Sequence, residues 1–546
     1  MSLHQDEKSG GGSVKEAVGP DTPLPESRPN PSHRTVLLII GAAVSVVVLA
    51  LALGLGLRLG LRKHQKSSAS SPSSPPSVSA VPTGIPLPGN GGSAATSGLL
   101  EDWRLDPKSY ILDTTWDLNA KPTTRHYNLV ISEGQGWPDG VVRDMLFING
   151  KFPGPLIEVN RGDRLVVNVT NHRTKNATTM HWHGLFQNGT NWFDGTAGVT
   201  QCGIPPGGSL VYNFTVDNQF GTYWYHSHYG MQYLDGILGP LIVHAPEEAN
   251  ARKLYDQDPR VLTLDPNTRT RLRLINTGAF AEFQLSIDNH TLSVIEADGT
   301  LVNPYPVHRL PIHVAQRYSV NPVLDSTTLA VVSYSGKNTI SPAEGLSVDW
   351  KDAYDVVCED LDPGLLVPAV REVPPPATAF YRVDFSFGIG AYQLDYAKVN
   401  GTTWAPLVNT TTLMEAVDGL AQGGGKFSTA GQVGAFEANQ FVVGVSNDSV
   451  EVVDVLIYSL DEGSHPFHLH GHQFWILQEG SGFFDWTNYY KSIMPSDPKA
   501  VGNALRRDTL TIKPYAWALI RFVADYPGLW ALHCHIAWHM EAGLLM

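Results

Sequence analysis

Eight histidines of this chain fall into four His-x-His pairs, His181/His183, His226/His228, His468/His470 and His533/His535, and the last pair encloses Cys534. Side chains alternate between the faces of a β-strand, so each pair presents both imidazoles on one side of the strand that carries it. One such pair is ordinarily structural or solvent-facing. Four of them, with a cysteine and two further histidines at fixed offsets, predict a metal cluster. Eight imidazoles can hold three metal ions together, and imidazole suits copper, zinc, iron and nickel alike. A thiolate with two more histidines, His465 and His539, and no strong fourth ligand is the pattern of a blue copper electron-transfer site.

The chain also aligns with itself. Gly221-Thr-Tyr-Trp-Tyr-His226-Ser-His228 and Gly528-Leu-Trp-Ala-Leu-His533-Cys534-His535 carry Gly, His and His at one spacing, and Gly236 and Gly543 follow at equal distances. Met180-His181-Trp-His183-Gly184 lies over Phe467-His468-Leu-His470-Gly471 in the same way. The two regions read as copies of one module. Thr178, Ser227 and Gln232 then occupy in the first copy the places of His465, Cys534 and His539, so only the last copy can hold the mononuclear site. A third copy without metal residues lies between them, from Arg273-Leu-Ile-Asn-Thr to Gln284-Leu-Ser-Ile-Asp-Asn-His290, and His290 reads as an ordinary surface histidine.

Strand-like runs recur, as in Arg164–Thr170, Leu210–Val216 and Val452–Tyr458, bounded by Gly, Pro and Asn turns, which makes the fold all-β. Beyond the first hundred residues the length suits about three domains of ordinary size. The formal charge of −14 and the lack of a basic stripe exclude nucleic acid as a partner.

The stretches His181–Gly195 through Thr200-Gln-Cys202, Gly221–Gly236, His465–His472 and His533–Gly543 resemble the four copper signatures of fungal multicopper oxidases, laccases above all. The resemblance runs from about Leu112 to Met546. It implies three cupredoxin-like Greek-key barrel or sandwich domains, at 101–245, 246–373 and 374–546. It implies four copper ions: a type 1 ion on His465, Cys534 and His539, a type 2 ion on His181 and His468, and a type 3 pair on His183, His226, His228, His470, His533 and His535. Leu544 stands at the family's axial position, and since leucine cannot ligate, a high potential is expected.

The implied chemistry is four one-electron oxidations of phenolic or aromatic substrates, with electrons passing from the Cys534 sulfur towards His533 and His535 and reducing O2 to water. Asp194 matches the family acid expected to orient water and relay protons, and Glu541 is a second candidate for that route. Laccases place a carboxylate in the second domain beside the type 1 site; the matching position here is Phe280, with Glu282 two residues on. Asp461-Glu462, shortly before His465, resembles the acid of fungal ferroxidases, which makes Fe(II) the alternative reductant, with an iron permease as partner in that case. Asp461-Glu-Gly also reads as a simple polar turn.

The first hundred residues are a different object: a polar, disordered tail at 1–34, a charge-free apolar run at 35–57, and a stalk rich in Ser, Pro and Gly at 58–100. At about 1.5 Å per residue the run can cross a hydrocarbon core of about 30 Å, so it is expected to be one transmembrane helix. Arg58, Arg62, Lys63 and Lys66 outnumber Arg28 and Arg34, which favours a cytosolic C-terminal side. Long folded domains translocate largely regardless of such charges, and sequons stand at Asn168, Asn176, Asn188, Asn213, Asn289, Asn400, Asn409 and Asn447. A single-pass glycoprotein with its catalytic domains extracellular or lumenal is therefore expected.

Three features favour another reading, an inactive membrane-tethered copper protein. The chain stops soon after Leu544, so the last copper loop is expected to fray for want of strand pairing. The stretch 245–266 looks short for the opening of a domain. With Cys534 committed to metal, Cys202 and Cys358 have no evident partners except each other.

Overall fold

The alternating runs fold as strands: along Arg164–Asn171, Leu165, Val167 and Val169 are buried while Val166, Asn168 and Thr170 are less so. In the computed structural model, residues 103–113, 115–138, 141–248, 271–287, 290–322, 359–390, 395–421, 433–437, 439–445 and 449–546 are described, and all lie in one compact unit, Gly91–Met546. The expected tail, apolar run and stalk, Cys358, Asn289 and Asn447 lie outside the described residues, as does most of 245–266. Among the described residues no helix is long and apolar enough to cross a membrane.

Three cores organise the unit. In the first, one sheet runs Arg143–Ile148, Thr124–Gly136, Arg164–Asn171, Ser209–Thr215 and a second runs Ile157–Asn160, Leu238–His244, Gly221–His226, His181–His183. Trp182, between the first two histidines, is fully buried against Tyr212 and Phe214 in this core. Alternation then turns His181 and His183 to the other face. The middle core joins the sheet Thr300–Val307, Leu292–Ala297, Arg317–Pro322, Leu272–Ile275 to the pair Phe283–Ser286 and Arg309–Ile312. His290 is buried at the entry to this core, not on the surface, because the chain turns there to start the buried strand Leu292–Ala297.

The last core lies between a six-stranded sheet (Asp395–Val399, Ala379–Ile389, Glu451–Ser459, Ala516–Ala524, Phe474–Ser481, Arg506–Arg507) and a three-stranded one (Thr509–Ile512, His465–Leu469, Leu532–Cys534). The repeat is visible in register: His181 pairs with His226 in the first module as His468 pairs with His533 in the last. The copper loop is not frayed. Met546 exchanges two backbone hydrogen bonds with Leu532, of 3.0 and 3.1 Å, and Cys534 N–H donates to Leu544 O at 3.2 Å, so the residues after the helix Ala537–Glu541 fold back along the cysteine strand.

Buried ion pairs tie the three cores together. Arg317, on a middle strand, makes a two-pronged pair with Asp508 at 2.6 and 2.5 Å and donates to Thr222 O of the first core at 3.1 Å. Arg507 makes the reciprocal pair with Asp298 of the middle core, at 2.7 and 3.2 Å. Glu296 accepts from Arg271, Arg273 and Ser319 around it and from Thr222 N–H of the first core. Removing one member of such a pair strands a charge in low dielectric. Asp298→Ala is therefore expected to lower stability by about 3–5 kcal/mol, read as a reduced denaturant midpoint.

Candidate metal centre

The eight paired histidines meet between the first and last cores, and each is 5% exposed or less. Ligand atoms of His228, His470 and His533 lie within 4.8 Å of one another, as do those of His181, His468 and His470 and those of His181, His183 and His226. A second group of three, His183, His226 and His535, has ring centroids 5.1–5.7 Å apart. His183 and His468, from different cores, stack at 3.7 Å.

The ring nitrogens divide in the way metal ligands require. Nδ1–H donates to Asp194 O from His181 (2.7 Å), to Ser227 O from His226 (3.0 Å), to Asp508 O from His468 (2.8 Å) and to Cys534 O from His533 (2.9 Å). Each donation fixes the tautomer and leaves Nε2 as a bare lone pair. The Nε2 atoms of His181, His226 and His468 are buried with no hydrogen-bond partner, and so are both ring nitrogens of His535. His183 is reversed: its Nε2 lies 3.5 Å from Thr509 Oγ1 and Asp508 Oδ1, and Nδ1 is the unpartnered atom. His470 and His533 bring their Nε2 atoms to 2.9 Å.

Lone pairs aimed at one another in a dry site are unfavourable unless a cation sits among them, so the residues fit a metal cluster. Burial, then the neighbouring imidazoles, holds His183, His226, His228, His468 and His535 well below the ordinary imidazole range. The same causes bring His470 to about 4 and His533 to about 3. These side chains are therefore neutral donors at physiological pH.

The three residues expected at the mononuclear site are brought together. Cys534 Sγ lies 3.8 Å from His465 Nδ1 and 3.6 Å from His539 Nδ1, and all three offer ligand atoms within 4.8 Å of one another. Leu544 is fully buried in the same core. Burial pushes the Cys534 thiol up, so the thiolate needs a cation to hold it. In the first module Thr178 and Ser227 both donate to Gln232 Oε1, at 2.8 and 3.0 Å, and Gln232 Nε2 donates to Ala177 O at 2.7 Å. The substituted positions satisfy one another and need no ion.

The other expected residues divide. Asp194 follows a short turn, Asn191–Phe193, yet its Oδ2 accepts from His470 Nδ1 at 2.9 Å and from Thr196 Oγ1 at 2.6 Å. Burial alone raises its carboxyl, but His470 and His181 hold it far below the usual range. Asp461 Oδ2 accepts from His465 Nε2 and from Gly463 N–H, both at 3.0 Å. It is therefore a polar turn and a ligand brace at once.

Glu282 precedes the strand Phe283–Ser286 and does not face outward with Phe280: its carboxylate lies 3.4 Å from His313 Nε2. Phe280 is exposed and stacks on Trp538, the neighbour of His539, at 5.4 Å. Glu541 lies at the surface, where partial burial raises its carboxyl, and among the described residues no hydrogen bond links it to the cluster. Cys202 is a free, exposed thiol. Sequence reasoning missed Thr196, Arg317, Asp508 and Thr509; the charged run Arg506-Arg507-Asp508 was the available signal for Asp508 and Thr509.

A cupredoxin-type mononuclear site joined by one backbone to a histidine cluster defines a copper oxidase of several centres. Family profiles described as multicopper oxidase match residues 130–248 and 412–546. "Laccase-1" of Cryptococcus neoformans is 31% identical over 81% of this chain and 82% of its own. "Iron transport multicopper oxidase fetC" of Epichloe festucae is 32% identical over 78% and 76%. Among solved structures, the laccase from Botrytis aclada aligns with a TM-score of 0.62 at 28% identity, covering 78% of this chain and 88% of that one, and Fet3p, "a Multicopper Oxidase that Functions in Iron Import", with 0.59 at 28%, covering 78% and 90%. The chain belongs to the multicopper oxidase family: it is an oxidoreductase whose cofactors are type 1, type 2 and type 3 copper.

Two outcomes follow from this geometry. Cys534→Ser is expected to abolish the intense thiolate-to-copper visible band while metal analysis still finds copper on the histidine cluster. In copper-stripped protein, imidazoles held near 4 and 3 in the fold but ordinary when unfolded bind protons first in the unfolded chain. Stability is then complete above the ordinary imidazole value of about 6.5 and is lost as pH falls from there towards 3, a trend readable from denaturant midpoints against pH.

Proposed function

We propose that the reductant is a phenol or related electron-rich aromatic, which makes this a laccase-like oxidase. The observation that carries the reading is the exposed Phe280–Trp538 stack beside His539. His465 and Cys534 are fully buried and His539 is only partly so, which makes it the one of the three that solvent reaches. A planar aromatic stacks on such a ledge at a gain of about 0.5–1.5 kcal/mol beyond its area burial. Bound copper supplies one-electron oxidation at the mononuclear site and reduction of O2 to water at the cluster. The chain holds the donors in place, excludes water from the cluster, and joins Cys534 to His533 and His535 through its own backbone. Asp194, hydrogen-bonded to His470 and within 3.3 Å of His181 Nδ1, would act there as an ionised carboxylate that passes a proton on without retaining it.

A second reading, Fe(II) oxidation, rests on Asp461 beside His465, because hard cations prefer carboxylate oxygen. Its Oδ2 is already committed to two donors and Glu282 is turned to His313, which leaves the aromatic reading ahead. We further propose that the apolar run 35–57 anchors the chain and that the catalytic unit is exported. Asn176 and Asn188 are exposed on it, as glycosylation sites require.

Phe280→Ala is expected to raise KM for bulky phenols several-fold with kcat little changed. Asp461→Asn, which keeps an acceptor for His465 and removes the charge, is expected to leave phenol oxidation near native. Poor phenol turnover, with efficient Fe(II) oxidation that collapses in Asp461→Asn, overturns the ranking.

A further inference from the structure

Between the strands Phe474–Ser481 and Arg506–Arg507 the chain leaves the six-stranded sheet for a helical excursion, Trp486–Asn488 running into Tyr489–Ile493. Its inner side, Phe484, Tyr489 and Ile493, packs on Leu456, Trp517 and Leu519 of the sheet. Alternation along those strands turns their neighbours Val455, Ile457, Ala518 and Ile520 to the opposite face, into the core that holds Cys534. The excursion therefore lies on the far side of the sheet from the mononuclear site.

The outer side of the excursion is apolar as well. Trp486, Tyr490 and Met494 follow one another at i, i+4 and i+8, a spacing that shares one helical face, and all three are exposed. Phe483, just before them, is wholly exposed, and the Trp486 and Tyr490 rings stack at 6.0 Å. Single exposed apolar residues are ordinary, but a continuous aromatic stripe marks a surface that meets something. The stripe is also held rigidly. Arg521, buried beneath it, donates to Ile493 O at 3.1 Å and to Ser496 Oγ at 2.5 Å while paired with Asp454, which accepts from Tyr489 O–H at 3.0 Å. Asp485 caps the first turn by accepting from Asn488 N–H at 3.0 Å. A platform fixed in this way loses little entropy on docking.

We propose that this stripe docks on the headgroup boundary of the membrane to which the chain is anchored. The proposal rests on the apolar run 35–57 as the anchor. Tryptophan and tyrosine, each with an apolar body and a polar tip, suit that boundary, and the exposed Lys491 beside them is a residue type that reaches headgroups. The intervening stretch 58–100, even at full extension, keeps the catalytic unit within about 150 Å of the anchor, so bilayer and stripe meet as parts of one assembly. A contact too weak to recruit a free protein then suffices. The formal charge of −14 disfavours an anionic surface, which commits the stripe to zwitterionic lipid held by aromatic contact and not by charge. Docked by this face, the unit keeps its Phe280–Trp538 entrance, on the other side of the sheet, open to solvent.

Hydroxyl-radical footprinting of the full-length, copper-loaded protein in phosphatidylcholine nanodiscs, one copy per disc, tests this. Tyr515 is the internal reference, since it is 63% exposed against 64% for Tyr490 and sits on the mononuclear side, where its N–H donates to Asp461 O. Tyr490 is expected to be oxidised several-fold more slowly than Tyr515, equally at low and high salt. Phe483→Asp adds a charge to the stripe and loses no packing. Tyr490 should then react as fast as Tyr515 while the blue band and copper content stay native, and Phe483→Trp should keep the protection.

Equal reactivity of the two tyrosines in the native protein overturns the proposal. So does protection that salt abolishes, protection that Phe483→Asp leaves in place, which marks cover by the protein itself, or protection seen only with two copies in a disc, which marks self-association. Protein that alkaline carbonate strips from the membrane refutes the anchor at 35–57 instead. The stripe is then read from the same two tyrosines with phosphatidylcholine vesicles added, where slower oxidation of Tyr490 supports it and equal reactivity overturns it.

Discussion

The cluster exists only where two sandwiches face each other, so the docking of the first and last modules is the constraint on which the site depends. Neither module alone brings more than four of the eight imidazoles. The strand ends that carry them are held in relation by groups that tolerate little displacement: Arg317 against Asp508, Arg507 against Asp298, and Asn191 bonded in both directions to the Leu529 backbone. The charged members of this set are wholly buried. A buried pair roughly offsets its own desolvation, so its contribution lies less in net stability than in the cost of every misaligned alternative.

Repetition explains how one frame came to hold two kinds of site. The paired strands carrying His181 and His226 repeat in register as those carrying His468 and His533. Around this frame the first module places Thr178, Ser227 and Gln232, which close a hydrogen-bonded triangle, and the last places His465, Cys534 and His539, which leave their donors facing one another. The difference is one of hardness and hydrogen-bonding capacity: hydroxyls and an amide saturate each other, whereas a thiolate and two imidazoles need a cation. Cys534 lies between His533 and His535 in sequence, so the mononuclear site is in covalent continuity with the cluster in the last module and in no other.

The ligands were legible because their signal is local: spacing along a strand survives any tertiary arrangement, and the self-alignment separated the copper-bearing copy from its counterpart. The outer residues were not, because their roles exist only across modules. Asp508 braces His468 within its own module, yet it is paired with Arg317, 191 positions away. Glu282 could not be placed because its face depends on where a loop gives way to the strand at Phe283. His290 looked like a surface residue because its burial comes from the strands packed over that turn. Fraying at the chain end was expected from strand counting, which does not register that three residues can turn back on the cysteine strand.

The surroundings of the mononuclear site argue for a rigid donor set beneath an adaptable entrance. His465 is fixed on three sides: Phe387 stacks on it at 5.4 Å, Phe385 meets it edge-on at 4.8 Å, and Asp461 accepts from its outer nitrogen. His539 is packed against Phe387 at 4.6 Å, but its helix is only five residues long and its neighbour Trp538 is held from outside by Phe280 of the middle module. Ala537 N–H donates to Ala279 O at 3.1 Å, so the segment carrying Phe280 is bonded directly to the ligand helix. On the aromatic reading proposed above, variation at Phe280 would reshape what a reductant meets, while Cys534 and His465 lie fully buried. The middle module thus touches both sites from outside, through the stack of Phe280 on Trp538 and through the pair of Arg317 with Asp508, whose main-chain carbonyl accepts from His468.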